Sequence, residues 1–192
     1  PPPPPPPPPP RPTPRPSRRQ RQMCIRDSPV LMRGLGDATV DDMTHYHSEL
    51  IGHYQPGILV LLPGTSEFHI RDSKSAEELV TAIRKLVKLD ESYDVPRQYY
   101  IFAPIKTPRY SQDYSKIDET MRLLAQWAQG EPQVTILDPN TLLTSRGGRP
   151  NPDYFRLDGV NLNEHGYLRI SLLLQSTLNQ NLNEEYATIG IR

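Results

Sequence analysis

The residues nearest to chemistry stand in the stretch Asp158-Gly159-Val160-Asn161-Leu162-Asn163-Glu164-His165-Gly166-Tyr167. A carboxylate such as Asp158 can orient a base, and the base must accept a proton near neutral pH, which His does and an Asn amide does not. The histidine of this stretch is His165, seven residues after Asp158 in the first turn of an expected helix. His165 is therefore the candidate base of this stretch, although a histidine on a helix surface is far commoner without such a role. Ser66, in Pro63-Gly64-Thr65-Ser66-Glu67-Phe68, offers a hydroxyl, but its turn lacks the flanking glycines of a nucleophile elbow. His45, His47 and His53 suggest zinc. On a helix, however, 45 and 47 point away from each other, with no Cys or third ligand near. They read as exposed helix residues, and neither a metal nor a cofactor is expected.

The elements that must position these groups follow in order. Residues 29–32 read as a short strand, with Arg33-Gly34-Leu35-Gly36-Asp37-Ala38 as the glycine-rich turn after it. Thr39 is suited to cap a helix running to about residue 53, with Asp41 and Asp42 in the first turn where the helix dipole favours them. Residues 58–62 form a continuous apolar run, the mark of a strand buried on both faces of a parallel sheet. Ser75 and Glu78 form a capping-box pair ahead of a second helix with Leu79, Val80, Ile83, Leu86 and Val87 inward. A strand at 99–103, a polar loop at 106–113 with Arg109 and two tyrosines, a third helix at 114–129 and a strand at 134–138 follow. A Gly/Pro-rich hairpin-like loop at 144–152 leads to the Asp158 stretch, where Asn163 caps the last helix. Strands alternating with helices imply a mainly parallel sheet between helix layers, with ligands bound outside the carboxyl ends of the strands. That rule gathers the loops at 34–38, 64–67, 106–113 and 158–161 around one crevice.

The 192 residues carry no net charge, but the charge is unevenly spread. Residues 1–28 hold six arginines against Asp27, a net +5, which leaves −5 for the remainder. A mildly acidic globular part gives no reason to expect a nucleic-acid partner. With Cys24 alone no internal disulfide can form, and the longest purely apolar run is far too short to span a membrane. Ten consecutive prolines form polyproline II and cannot enter a central strand. The Arg/Pro/Ser/Gln continuation has little apolar surface to bury. Met23-Cys24-Ile25-Arg26-Asp27-Ser28 resembles a translated sequencing adapter, so residues 1–28 read as a disordered or non-native tail and 29–182 as the domain, with 183–192 as a C-terminal tail.

Asp158-Gly159-x-x-Leu162-Asn163-x-x-Gly166-Tyr167 resembles the last motif block of the SGNH (GDSL-type) hydrolases, esterases and acylhydrolases with a Ser-His-Asp triad. Residues 30–36 resemble the family's second block, whose glycine amide donates to the oxyanion; the alignment puts either Gly36 or Asp37 on that position. Pro63-Gly64-Thr65-Ser66-Glu67 resembles the third, Gly-x-Asn-Asp, with Ser66 in place of the oxyanion Asn and Glu67 in place of the Asp. Asp158 matches the triad acid and Asn161 stands where the triad His belongs. The first block, with the nucleophile, has no counterpart.

The resemblance implies a three-layer α/β/α, flavodoxin-like fold with the first, central strand missing, and by family an ester or acyl hydrolase. The substitutions imply that this chain is catalytically inactive. The alternatives are a non-catalytic acyl- or carbohydrate-binding module, or an interaction protein working through its proline-rich arm. The expected partner is a small ester, acyl or glycan ligand.

Overall fold

The computed structural model describes residues 30–34, 37–69, 73–93, 97–145 and 147–189, with side chains as far as 181. The chain divides after Gly34. Of the first part, residues 30–34 have no regular secondary structure, and Val30 and Leu31 are exposed. The strand expected at 29–32 is therefore not seen over its described residues. An extended apolar segment becomes a strand only where a neighbour takes its backbone groups, and the local pattern carries no information about that neighbour.

The rest comprises α1 (Val40–His45), α2 (His47–Leu50), β1 (Ile58–Leu61), α3 (Ser66–His69), α4 (Ala76–Glu91), β2 (Gln98–Phe102), α5 (Tyr114–Ala128), β3 (Val134–Leu137), α6 (Asn140–Leu143) and α7 (Glu164–Ile189). The strands form a parallel sheet in the order β1-β2-β3. Leu59 lies opposite Tyr99, and Ile101 opposite Ile136.

Because successive strand residues point to opposite faces, the sheet builds two cores. Leu61, Tyr99, Ile101 and Val134 pack against Val40, Leu79, Ile83, Leu86, Ile117 and Leu124 on one face. Tyr100, Phe102 and Leu137 pack against Leu143, Phe155, Leu162 and Ile170 on the other. The result is an α/β fold with helices over both faces. Asn181 Nδ2 reaches the Tyr100 hydroxyl at 3.0 Å and ties α7 to β2. Among the described residues β1 pairs on one side only, and Ile58 and Val60 remain 46% and 40% exposed. The continuous apolar run at 58–62 thus overstates the burial of β1, which is an edge strand in this sheet.

The expected caps form. Ser75 Oγ accepts the Glu78 amide at 3.2 Å while Glu78 Oε2 accepts the Ser75 amide at 2.7 Å, starting α4. Asn163 Oδ1 accepts the Gly166 amide at 3.0 Å, starting α7. The first helix, in contrast, breaks at Tyr46 into α1 and α2 and ends in a 3₁₀ turn, Gly52–Tyr54. The break accompanies the burial of His47. Its Nε2 lies 2.6 Å from Asp90 Oδ1, and Asp90 Oδ2 also faces Arg97 Nε at 2.8 Å and the Tyr99 hydroxyl at 3.0 Å. His47 is thus not the exposed helix residue its spacing suggested, because its partner Asp90 comes from α4.

Candidate functional site

The loop between α6 and α7 is built around Asp158. Its Oδ1 accepts the amides of Val160 at 2.9 Å and Asn161 at 2.8 Å, and its Oδ2 accepts the Asn161 side-chain amide at 2.6 Å. Gly159 takes φ +65°, a left-handed conformation natural to glycine, and the Asn161 carbonyl accepts the Arg156 amide at 2.7 Å. The carboxylate is thereby turned back onto its own loop as the acceptor of an Asx turn. Asn161 donates its side-chain amide to Asp158, and an amide cannot take up a proton near neutral pH.

The loops at 37–40 and 64–67 meet as the sheet rule requires. The Ser66 hydroxyl donates to the Ala38 carbonyl at 2.9 Å. Beside it, buried Glu67 receives the Val40 amide on Oε1 at 2.7 Å and Lys74 Nζ on Oε2 at 2.6 Å. Lys74 also contacts Asp41 at 2.8 Å. Burial opposes the charge of Lys74, but the bonds to Asp41 and Glu67 outweigh it and hold the ammonium above the ordinary lysine range. Glu67 thus supports the start of α1, and Ser66 spends its proton on the backbone. Asp37 is exposed at φ 57°; Gly36, the other candidate for the oxyanion position, lies outside the described residues.

A histidine that motif spacing does not single out lies at the same sheet edge. His69, on α3, brings Nε2 to 2.5 Å from Asp113 Oδ2, at the end of the loop after β2. The approach is short without being a straight hydrogen bond, since Oδ2 has no aligned donor. The carboxylate side chain is 6% exposed and the imidazole 23%. Tyr110 stacks on the imidazole at 3.8 Å between centroids and 29° between planes, with the Arg109 guanidinium 5.8 Å from the tyrosine ring centre. The Arg109 amide donates to the Gly159 carbonyl at 3.1 Å, which joins this loop to the Asp158 turn. The four loops expected around one crevice are therefore neighbours in series: 37–40 to 64–69, 64–69 to 107–113, and 107–113 to 156–161. Asp113 looked like an ordinary residue ahead of a helix, and the usable signal was a His three positions after Ser66, just beyond a strand.

His165 lines a shallow surface depression with Arg156, Asn163 and Glu164. Burial raises the Tyr114 phenol above the ordinary tyrosine range, with Arg149 acting in the other direction, and its hydroxyl donates to the Thr107 carbonyl at 3.0 Å. Among the described residues no group of three metal-ligating side chains is present, and no helix is long and apolar enough to cross a membrane.

No protein-family model matches the sequence. No curated protein matches it either. Solved structures do match. A protein assigned as an acylhydrolase from Bacteroides fragilis aligns with a TM-score of 0.68 at 20% identity, covering 78% of this chain and 74% of that one. A carbohydrate esterase family 3 protein from Talaromyces cellulolyticus aligns with a TM-score of 0.63 at 18% identity, covering 82% and 78%. A GDSL-like lipase from Bacteroides thetaiotaomicron aligns with a TM-score of 0.61 at 13% identity, covering 78% and 75%. With its parallel sheet between helix layers, the chain carries the SGNH-type hydrolase fold.

Proposed function

We propose that this is an SGNH-type hydrolase domain, built for a small ester, acyl or glycan ligand, whose Asp158 position no longer hydrolyses esters. One observation carries the reading: Asp158 accepts three N–H groups of its own turn, the shortest at 2.6 Å from the Asn161 side chain. A triad acid has to hold a base that can take up a proton, and losing the base removes the proton transfer that general-base catalysis supplies, about 10²–10⁴ in rate. The oxyanion side adds to this. Ser66 replaces an amide donor and gives its proton to Ala38, and loss of one oxyanion donor costs about 10²–10³ in rate. An ester ligand is the natural first choice because esterases and acylhydrolases share the fold. The test is p-nitrophenyl acetate hydrolysis by the full chain and by Asp158→Ala. Equal rates support the reading; a rate that falls with Asp158 contradicts it.

A further inference from the structure

We propose that His69, held by Asp113, is a separate acid–base centre of this domain, which activates water against the acyl carbon of a small ester at the carboxyl edge of β1 and β2. The inference takes the ester from the reading above but none of its residues.

Placement carries the first part of the argument. α3 begins just after β1, and Asp113 ends the loop that leaves β2, so the pair straddles two neighbouring strand ends. Open α/β sheets bind ligands at that edge. Burial carries the second. A nearly sealed carboxylate 2.5 Å from a partly open imidazole places an acid where it can orient a base. With Nε2 facing Asp113, Nδ1 is the nitrogen left to take a proton. Tyr110, stacked at 3.8 Å, fixes the plane of the ring. In the same loop Thr107 Oγ1 is buried with no hydrogen-bond partner among the described residues, a polar group that the fold itself does not use.

The step balances with water as the co-reactant. Nδ1 takes a proton as the water oxygen bonds to the acyl carbon. The bond from that carbon to the alcohol oxygen then breaks, and the imidazolium returns the proton to the leaving alkoxide. Ester and water become acid and alcohol, and His69 is restored. His69 is the catalytic residue of this scheme and Asp113 its positioning residue.

The experiment uses the full chain with p-nitrophenyl acetate, comparing wild type, His69→Gln, Asp113→Asn and Asp158→Ala at matched melting temperatures. The expected result is a wild-type rate above buffer that falls about 10²-fold in His69→Gln and at least about tenfold in Asp113→Asn. Asp158→Ala leaves it unchanged. Should the variants fail to fold, the ¹⁵N spectrum of the wild-type imidazoles decides: the proposal requires a neutral His69 protonated on Nε2 at pH 8. A ring protonated on Nδ1, a wild-type rate no higher than buffer, or a His69→Gln rate equal to wild type overturns it. A rate that depends on Asp158 and not on His69 overturns this inference and contradicts the proposed function as well. Dependence on both residues contradicts only the latter.

Discussion

Glu67, sealed at the carboxyl end of β1, accepts the amide of Val40 at 2.7 Å across 27 positions of sequence. One carboxylate so anchors the start of α1 to the loop after β1 and holds Lys74 with its second oxygen. The acid in this part of the fold is structural: its lone pairs are committed to an amide and an ammonium.

Glu67→Gln is expected to destabilise the domain by about 2 kcal/mol, the scale of a hydrogen bond to a charged group. Lys74 retains Asp41, so the loss stays short of that for an orphaned buried charge. Urea denaturation checks the value, and a change below about 0.5 kcal/mol would show that the charge paired with Lys74 is dispensable, since a glutamine oxygen can still accept the Val40 amide.

Asp90→Asn should cost more, about 3 kcal/mol or above, because removing one member of a buried charge network strands the others. Arg97 is buried, and its terminal nitrogens have no hydrogen-bond partner among the described residues. Comparing the melting temperatures of Asp90→Asn and an exposed control such as Asp153→Asn isolates the effect.

Alkaline pH should destabilise the domain through the ionisation of a tyrosine and a lysine. Burial and the hydrogen bond to Asp90 raise the Tyr99 phenol strongly, and Lys74 is raised as well. Both groups hold their protons more tightly in the fold, so their stabilisation is complete below the unfolded values of 10.0 and 10.5 and is lost as pH rises past them. A melting temperature that falls above pH 10 in wild type and less steeply in Tyr99→Phe is the expected pattern.

The two glycines of the Asp158 stretch should respond differently to alanine. A Cβ on Gly166 would collide with the Tyr154 carbonyl and lie 2.9 Å from Leu162 Cδ2, so Gly166→Ala is expected to cost about 2 kcal/mol or more. At Gly159 the nearest atom would be Arg109 Cβ at 3.5 Å, so only the φ of +65° resists, at about 1 kcal/mol. Denaturation midpoints for the two variants check the order.

What could be read from the sequence was whatever local chemistry determines. The Ser75–Glu78 box, the Asn163 cap and the apolar stripe of α4 depend on residues three or four apart, and they appear where expected. The parallel sheet followed from strands alternating with helices. What escaped depended on distant partners. His47 turns inward because Asp90 waits on another helix, β1 is less buried than its apolar run suggested, and residues 30–32 do not form a strand. At the site, Asp158 and Asn161 were visible as a motif with one changed residue. That Asn161 closes the carboxylate at 2.6 Å, and that His69 meets Asp113, needed the loops brought together in space.

The central claim is that Asp158 serves its turn and not a reaction. Its most direct test is the rate of p-nitrophenyl acetate hydrolysis by the full chain against Asp158→Ala, with folding matched by near-UV circular dichroism. The account predicts the same rate in both, and a fall of about tenfold or more on removing the Asp158 carboxylate would contradict it.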